Sequence, residues 1–172
     1  MVTLPKGAQD VGDIFLSLKG AKTGVIKGES QDDQHKDEIQ VLRWSWGMQQ
    51  KPSIGGGTAT GKATINDLKI VKRVDKASTA LMAALRTNEE IQKGVLTLRK
   101  AGGSQLEFLK ITIEGGRVTG LSIEAGDPAG GVELLEHVSL SFNKIDVTYV
   151  PQNKSGGPEG SLSFQDQWSA NA

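Results

Sequence analysis

Residues 38–48 constrain the fold more than any other segment, because they contain two of the three tryptophans only two positions apart. Side chains of a β-strand alternate between its faces, so a strand here places four large apolar side chains together: Leu42, Trp44, Trp46 and Met48. A helix would separate the two tryptophans by about 200°. The pattern therefore predicts one long strand with Trp44, Trp46 and Met48 in the core, since an aromatic side chain buries roughly 150–250 Å².

Short apolar segments with alternating polarity, separated by glycines, predict further strands. They cover residues 13–18, 25–26, 62–70, 95–99, 106–113, 117–123, 136–149 and 162–168. The apolar parity shifts inside two of these segments, which predicts β-bulges near Asn66 and near Asn143. Gly115 and Gly116 are interpreted as a turn between two strands.

A single amphipathic helix is predicted over residues 75–86, where alanines favour helix and three apolar residues recur at helical spacing. Asp75 or Ser78 can cap its first turn. Many strands with glycine turns and one helix are typical of a β-barrel or β-sandwich. The length of 172 residues suits a single domain over residues 1–172.

The composition argues against several classes of function. Twenty acidic residues balance twenty basic ones, so no net charge attracts nucleic acid or anionic lipid. The chain has no cysteine for disulfides or thiolate chemistry. No apolar run approaches the ~18 residues of a membrane helix, and residues 1–10 lack the apolar core of an export signal.

Residues 49–61 are rich in glycine and polar side chains, which predicts a long extended loop. Part of this stretch imitates a phosphate-binding loop as far as Lys62. Ala63 then occupies the position where a hydroxyl must contact magnesium, and a strand follows where the motif needs a helix. We expect no bound nucleotide and no cofactor.

A polar segment offers five potential metal ligands within seven residues: Asp32, Asp33, His35, Asp37 and Glu38. Their spacing fits neither a calcium loop nor a zinc site, so a solvated loop is expected rather than a metal centre. The only other histidine is His137, and no serine lies in a nucleophile elbow. The sequence predicts no catalytic residue and no enzyme activity.

Two features favour self-association. The edges of a mostly β fold must be closed, covered or paired with another chain. A glycine-rich loop of about a dozen residues is unusual in a compact domain unless it has a partner or is disordered. The alternative from a different class is a monomeric β-barrel module that binds a small ligand.

The order of motifs resembles the haemolysin-coregulated protein (Hcp) family, the inner-tube proteins of the bacterial type VI secretion system. The residues that carry this resemblance are Gly28, Glu29, Ser30, His35, residues 38–39, 41–42 and 44–48, Leu68, Ile70, Lys72, residues 74–76, 81–82, 96–102 and 138–142, Tyr149, Pro151 and Gln152. The resemblance spans nearly the whole chain. The segment before Gly28 is somewhat longer than usual, and the tail after Gly157 is individual.

The resemblance implies a closed β-barrel with one flanking helix that assembles into hexameric rings. The rings would stack into a tube that a contracting sheath expels, with effector proteins held in the lumen. The implied partners are copies of this chain, sheath and spike proteins, and effectors, without nucleic acid or membrane insertion. The implied location is the bacterial cytoplasm during assembly, followed by secretion to the extracellular space or a target cell without a signal peptide.

The resemblance also assigns a role to the long loop, which would reach a neighbouring ring. The stacking residues it implies are Gln49, Lys51, Pro52, Ser53, Ile54, Gly55, Gly56, Gly57, Thr58 and Thr60.

Overall fold

A computed structural model describes residues 13–50, 63–101, 105–126 and 133–168. Within them the chain forms twelve strands and one helix. In chain order these are β1 (Ile14–Gly20), β2 (Gly24–Ile26), β3 (Ile39–Gln40), β4 (Arg43–Ser45), β5 (Met48–Gln49), β6 (Thr64–Ile65), β7 (Leu68–Arg73), α1 (Ala77–Arg86), β8 (Glu90–Arg99), β9 (Glu107–Gly126), β10 (Glu133–Leu140), β11 (Lys144–Tyr149) and β12 (Leu162–Gln167). No described helix is both long and apolar enough to cross a membrane.

Ten of the strands form one antiparallel sheet in the order β2-β1-β8-β9-β10-β7-β4, with β3 paired to β1 and β11 paired to both β9 and β12. Strand β9 is 20 residues long and joins two halves of this sheet. Its first part pairs with β8 and β11, and its second part pairs with β10. The fold is mainly β with one short helix, as expected.

Among the described strands the predicted closure into a barrel is not found, because their hydrogen-bonded order does not return on itself. Residues 39–45 pair with strands near both ends of the order. β3 pairs with β1, and β4 pairs with β7. The partner changes where the Val41 N–H donates to Ile14 O at 2.9 Å and the Leu42 N–H donates to Val71 O at 2.7 Å. Among the described strands, none therefore connects the two ends of the sheet by hydrogen bonds.

The predicted single strand over residues 38–48 is wrong for the same reason, since it is divided into β3, β4 and β5. Val41 is buried, whereas the alternation of a single strand would place it on the face opposite the tryptophans. The change of partner after residue 41 resets the alternation, so Val41 and Trp44 both pack against the core. Past Ser45 the chain leaves the large sheet, and β5 pairs only with β6.

Three other strand predictions also need correction. The expected bulges near Asn66 and Asn143 are breaks between separate strands. The expected turn at Gly115 and Gly116 is absent, because β9 continues through both glycines. A Cβ on Gly116 would lie 1.7 Å from the Ser141 carbonyl oxygen, so this glycine permits close strand packing rather than a chain reversal.

The core lies on the face of the sheet that contains the even-numbered residues of β1, β7, β8 and β10. Next to the first turn of helix α1, Lys72 of β7 and Glu136 of β10 form a fully buried ion pair, whose Nζ–Oε2 distance is 3.0 Å. The Ser78 hydroxyl of α1 donates to the same Glu136 oxygen at 2.5 Å. The predicted cap is found only in part, because the N-cap residue is Lys76 and its side chain makes no cap hydrogen bond, whereas Asp75 and Ser78 do form hydrogen bonds around the first turn. The Asp75 carboxylate accepts from the Ala77 N–H, and Ser78 Oγ accepts from the Asp75 N–H.

Candidate assembly surfaces

The end of the sheet formed by β11 and β12 carries apolar side chains that no described residue covers. Leu162 is 67% exposed, Tyr149 is 42% exposed and Phe164 is 41% exposed. The strand register places Tyr149 opposite Leu162, and Val147 opposite Phe164. We call Tyr149, Leu162 and Phe164 the β12 overhang.

The β12 overhang continues the face that forms the core elsewhere. The same register places Ile111 opposite Val147 and Ile113 opposite Ile145 in β9 and β11, and these three isoleucines are buried. Ser163 and Gln165 lie on the opposite face, where Gln165 hydrogen bonds to the Asp146 carboxylate. The sheet therefore extends beyond the core, and at β12 the face that packs on the core elsewhere is exposed to solvent. Exposed apolar surface of this kind is typical of protein–protein contacts.

A second exposed apolar group lies at the far end of β9 and β10. Ile123 and Leu134 are exposed although they share the face of buried Val138, and Val74 is also exposed. The Val74 N–H donates to Leu134 O at 3.2 Å, which places Val74 next to Leu134 at this end of the sheet. We call Val74, Ile123 and Leu134 the β9–β10 overhang. The chain thus carries two different apolar surfaces.

Several strand edges also lack partners among the described strands. β12 pairs only with β11, and β4 pairs only with β7. Residues 118–126 of β9 pair only with β10. Unpaired strand edges present rows of N–H and C=O groups that favour pairing with another chain.

The sequence did not single out the overhang residues. It predicted the final strand, but alternation alone could not show that its apolar face lies beyond the core. One signal was present: β12 has neither lysine nor proline, the residues that commonly protect an edge.

The predicted stacking residues are placed only in part. Gln49 lies in β5, opposite Thr64 of β6. The others lie outside the described residues: Lys51, Pro52, Ser53, Ile54, Gly55, Gly56, Gly57, Thr58 and Thr60. The β5–β6 pair forms a small sheet of its own at the base of this segment.

The three residues predicted to lie in the core, Trp44, Trp46 and Met48, have different surroundings. Trp44 and Trp46 are partly buried against the core, and the Trp46 indole N–H donates to Asn66 O at 3.0 Å. Met48 is 47% exposed, so the expectation that it lies in the core is wrong. The reason is that β5 has left the large sheet by this point.

The polar segment of residues 32–38, expected to be a solvated loop, is packed against the rest of the fold. His35 is buried, with its ring stacked on Phe15 at a centroid distance of 4.3 Å. Arg99 is buried as well, and its Nη2 contacts the carboxylates of Asp32 at 2.6 Å and Asp13 at 2.7 Å. The Arg99 hydrogen bond holds the pKa of Asp32 below its usual range. Asp32 and Asp13 in turn raise the pKa of Arg99.

A second carboxylate stabilises the β1–β2 hairpin. Glu89 accepts the backbone N–H groups of Lys22 and Thr23 at 2.7 and 2.6 Å, and the Thr23 hydroxyl at 2.8 Å. The Thr23 N–H is the main reason why the pKa of Glu89 lies below its usual range. The described residues contain no group of three or more ligands that could hold a metal ion. The exposed apolar surfaces are the candidate functional sites.

Comparisons with known proteins point to one family. A family profile described as "Type VI secretion system effector, Hcp" matches residues 15–149. The protein Hcp1 of Pseudomonas aeruginosa is 42% identical over 151 residues, which cover 86% of this chain and 89% of that protein.

Solved structures agree with this result. The crystal structure of Hcp1 from Salmonella typhimurium has a TM-score of 0.69 at 32% identity, covering 88% of this chain and 93% of that one. A structure described as a type six secretion system protein has a TM-score of 0.78 at 26% identity, covering 92% of this chain and 96% of that one.

Proposed function

The chain belongs to the Hcp family of type VI secretion system proteins, and from this premise we propose that it is a structural subunit of the inner tube. Six copies would form a ring, and rings would stack into a tube expelled by contraction of a sheath. The role is non-enzymatic. The observation that carries the proposal is the pair of apolar overhangs on a chain whose strand edges are unpaired.

A ring requires two different surfaces on each copy. A contact that uses the same surface twice gives a closed dimer, whereas a head-to-tail contact continues from copy to copy until the rotation closes. The β12 overhang and the β9–β10 overhang lie on different parts of the sheet, so the chain has the two surfaces that such a contact needs. We propose that both are covered in the ring.

The first test concerns the β12 overhang. Leu162→Glu should abolish ring formation, because a carboxylate would be buried in an apolar contact without a partner. Ser163→Glu, one position along on the opposite face, is the matched control and should assemble normally. Both side chains are exposed, so each change should alter the free energy of unfolding by no more than about 0.5 kcal/mol. Light scattering gives the mass of each assembly.

Two outcomes would contradict this proposal. A wild-type protein that keeps the mass of one chain at high concentration would exclude the ring and favour a monomeric module that binds a small ligand. If Leu162→Glu forms rings as readily as Ser163→Glu, the ring contact does not involve the β12 overhang.

The second test concerns stacking. We propose that Gln49 and the following residues contact the next ring, as the family resemblance implies. Deleting residues 53–60 should leave rings with the same number of copies but shorten or abolish tubes in electron micrographs, because each ring loses a contact to its neighbour. Deletion of residues 2–9, the same number of residues and far in sequence from β12, controls for chain length. A shortened loop that prevents ring formation itself would show that this segment has a different role.

The same premise extends to cargo and location. We propose that the lumen carries effector proteins and that the tube contacts sheath and spike proteins. The protein would assemble in the bacterial cytoplasm and then leave the cell within the expelled tube. Co-purification of effectors with rings, but not with the Leu162→Glu protein, would support the carrier role, since only rings have a lumen.

A further inference from the structure

His35 occupies an unusual position between two carboxylates. Its Nδ1 lies 2.8 Å from Glu38 Oε2, and its Nε2 lies 2.8 Å from Glu107 Oε1. One face of the ring is stacked on Phe15 with an interplanar angle of 9°. The side chain is only 8% exposed, so water has little access to it. His137 differs, because it contacts one carboxylate through one nitrogen and is 41% exposed.

This geometry requires a specific number of protons. An ionised carboxylate only accepts hydrogen bonds, and a neutral imidazole has one N–H and one bare nitrogen. Two such bonds therefore require the imidazolium form, or a proton on one of the carboxyl groups. In either case the side chains of His35, Glu38 and Glu107 together hold one more proton than they would with a neutral imidazole and two ionised carboxylates. Without that proton, a nitrogen lone pair faces a carboxylate oxygen.

The neighbouring charges do not remove this requirement. Lys110 lies 3.6 Å from the second oxygen of Glu107 and is half exposed. The Arg99 guanidinium lies 5.1 Å from the centroid of the Phe15 ring, and Asp13 and Asp32 both contact it. None of these groups can supply the missing hydrogen bond to His35.

His35 joins the segment of residues 28–38 to the outer face of the sheet. Glu38 belongs to the segment, whereas Phe15 and Glu107 belong to β1 and β9. The segment is closed internally by the Ser30 N–H to Glu38 O bond at 3.0 Å and the Asp37 N–H to Ser30 O bond at 2.9 Å. It leads directly into β3, which pairs with β1.

We propose that His35 is a proton-controlled latch that fixes residues 28–38 on the sheet. With the shared proton, both bonds form and the segment is closed. When the proton is lost at higher pH, one bond is replaced by a repulsive contact and the segment opens more often. The latch is a property of the single chain and is independent of ring formation.

Amide hydrogen exchange tests this directly. Protection factors, corrected for the intrinsic exchange rate, are compared at about pH 5 and about pH 8, the range in which histidine changes charge. The Ser30 and Asp37 amides should lose protection roughly tenfold at the higher pH, the scale of one charge-assisted bond. The Leu96 amide, in β8, should be unchanged and serves as the internal control. Equal protection of Ser30 and Asp37 at both pH values would overturn the proposal.

The substitution Glu38→Gln separates a proton-linked role from a purely structural one. The glutamine amide can donate to Nδ1 while Nε2–H donates to Glu107, so neutral His35 satisfies both bonds without an extra proton. The segment should then stay protected at both pH values. His137→Gln is the control and should retain the wild-type loss of protection. A loss that persists in Glu38→Gln would show that another group is responsible.

Discussion

Lys72→Met should lower the free energy of unfolding by about 3–5 kcal/mol, because it removes the cation from a buried pair. The Lys72 ammonium lies 3.0 Å from Glu136 Oε2 and 2.8 Å from Asp75 Oδ1. It also donates to Ser78 Oγ at 3.1 Å. Methionine has a similar length but leaves two carboxylates without their counter-charge, that of the fully buried Glu136 and that of Asp75, whose side chain is 10% exposed.

The matched control for this change is Lys69→Met on the same strand. Lys69 is exposed, so its replacement should change the unfolding free energy by no more than about 0.5 kcal/mol. Urea denaturation followed by tryptophan fluorescence measures both proteins. The double variant Lys72→Met with Glu136→Leu should be less destabilised than Lys72→Met alone, because the buried Glu136 carboxylate that would lack a counter-charge is also removed. Equal stability of Lys72→Met and Lys69→Met would show that the ion pair does not stabilise the fold.

Gly116→Ala should destabilise the fold by about 3 kcal/mol or more, because the new methyl group has no space. The added Cβ would lie 1.7 Å from Ser141 O and 2.8 Å from Phe142 Cα. Both are backbone atoms, so relief requires movement of the chain between β10 and β11. Insertion of atoms into a packed interior typically costs about 1–3 kcal/mol, and displacement of backbone costs more.

Gly120→Ala on the same strand is the control. There the nearest atoms are Ser139 Oγ at 3.6 Å and Ser139 Cβ at 3.7 Å, which are ordinary contacts. The change should be neutral or slightly stabilising, since alanine restricts the unfolded chain more than glycine does. Unfolding free energies from denaturant titration compare the two proteins. Similar values for both would mean that β9 can move away from Ser141 at little cost.

The pattern of side chains predicted the local structure well where burial follows a simple alternation. The strand at residues 13–18, the helix and the final strand are all found close to their expected positions. Their polarity alternates with the period of the element, and that period is a local property of the chain. The order of motifs likewise indicates the family.

Prediction failed where a residue's environment depends on distant parts of the chain. Phe15 lies on the face of β1 opposite Leu16 and Leu18, where alternation alone predicts exposure. It is buried because His35 and Arg99, from other elements, pack against its ring. His35 itself pairs with Glu107, 72 positions away. No local pattern of polarity records such a contact.

The sequence by itself determined the mainly β character of the chain, where the helix lies and to which family the chain belongs. Only the tertiary structure decided how these segments pair, why Gly116 must be glycine and which apolar side chains remain uncovered. The reason is physical: the period of polarity specifies which face of an element avoids water. How far that face extends beyond the core depends on strand pairings between residues far apart in the chain, such as β9 with β10 and β11.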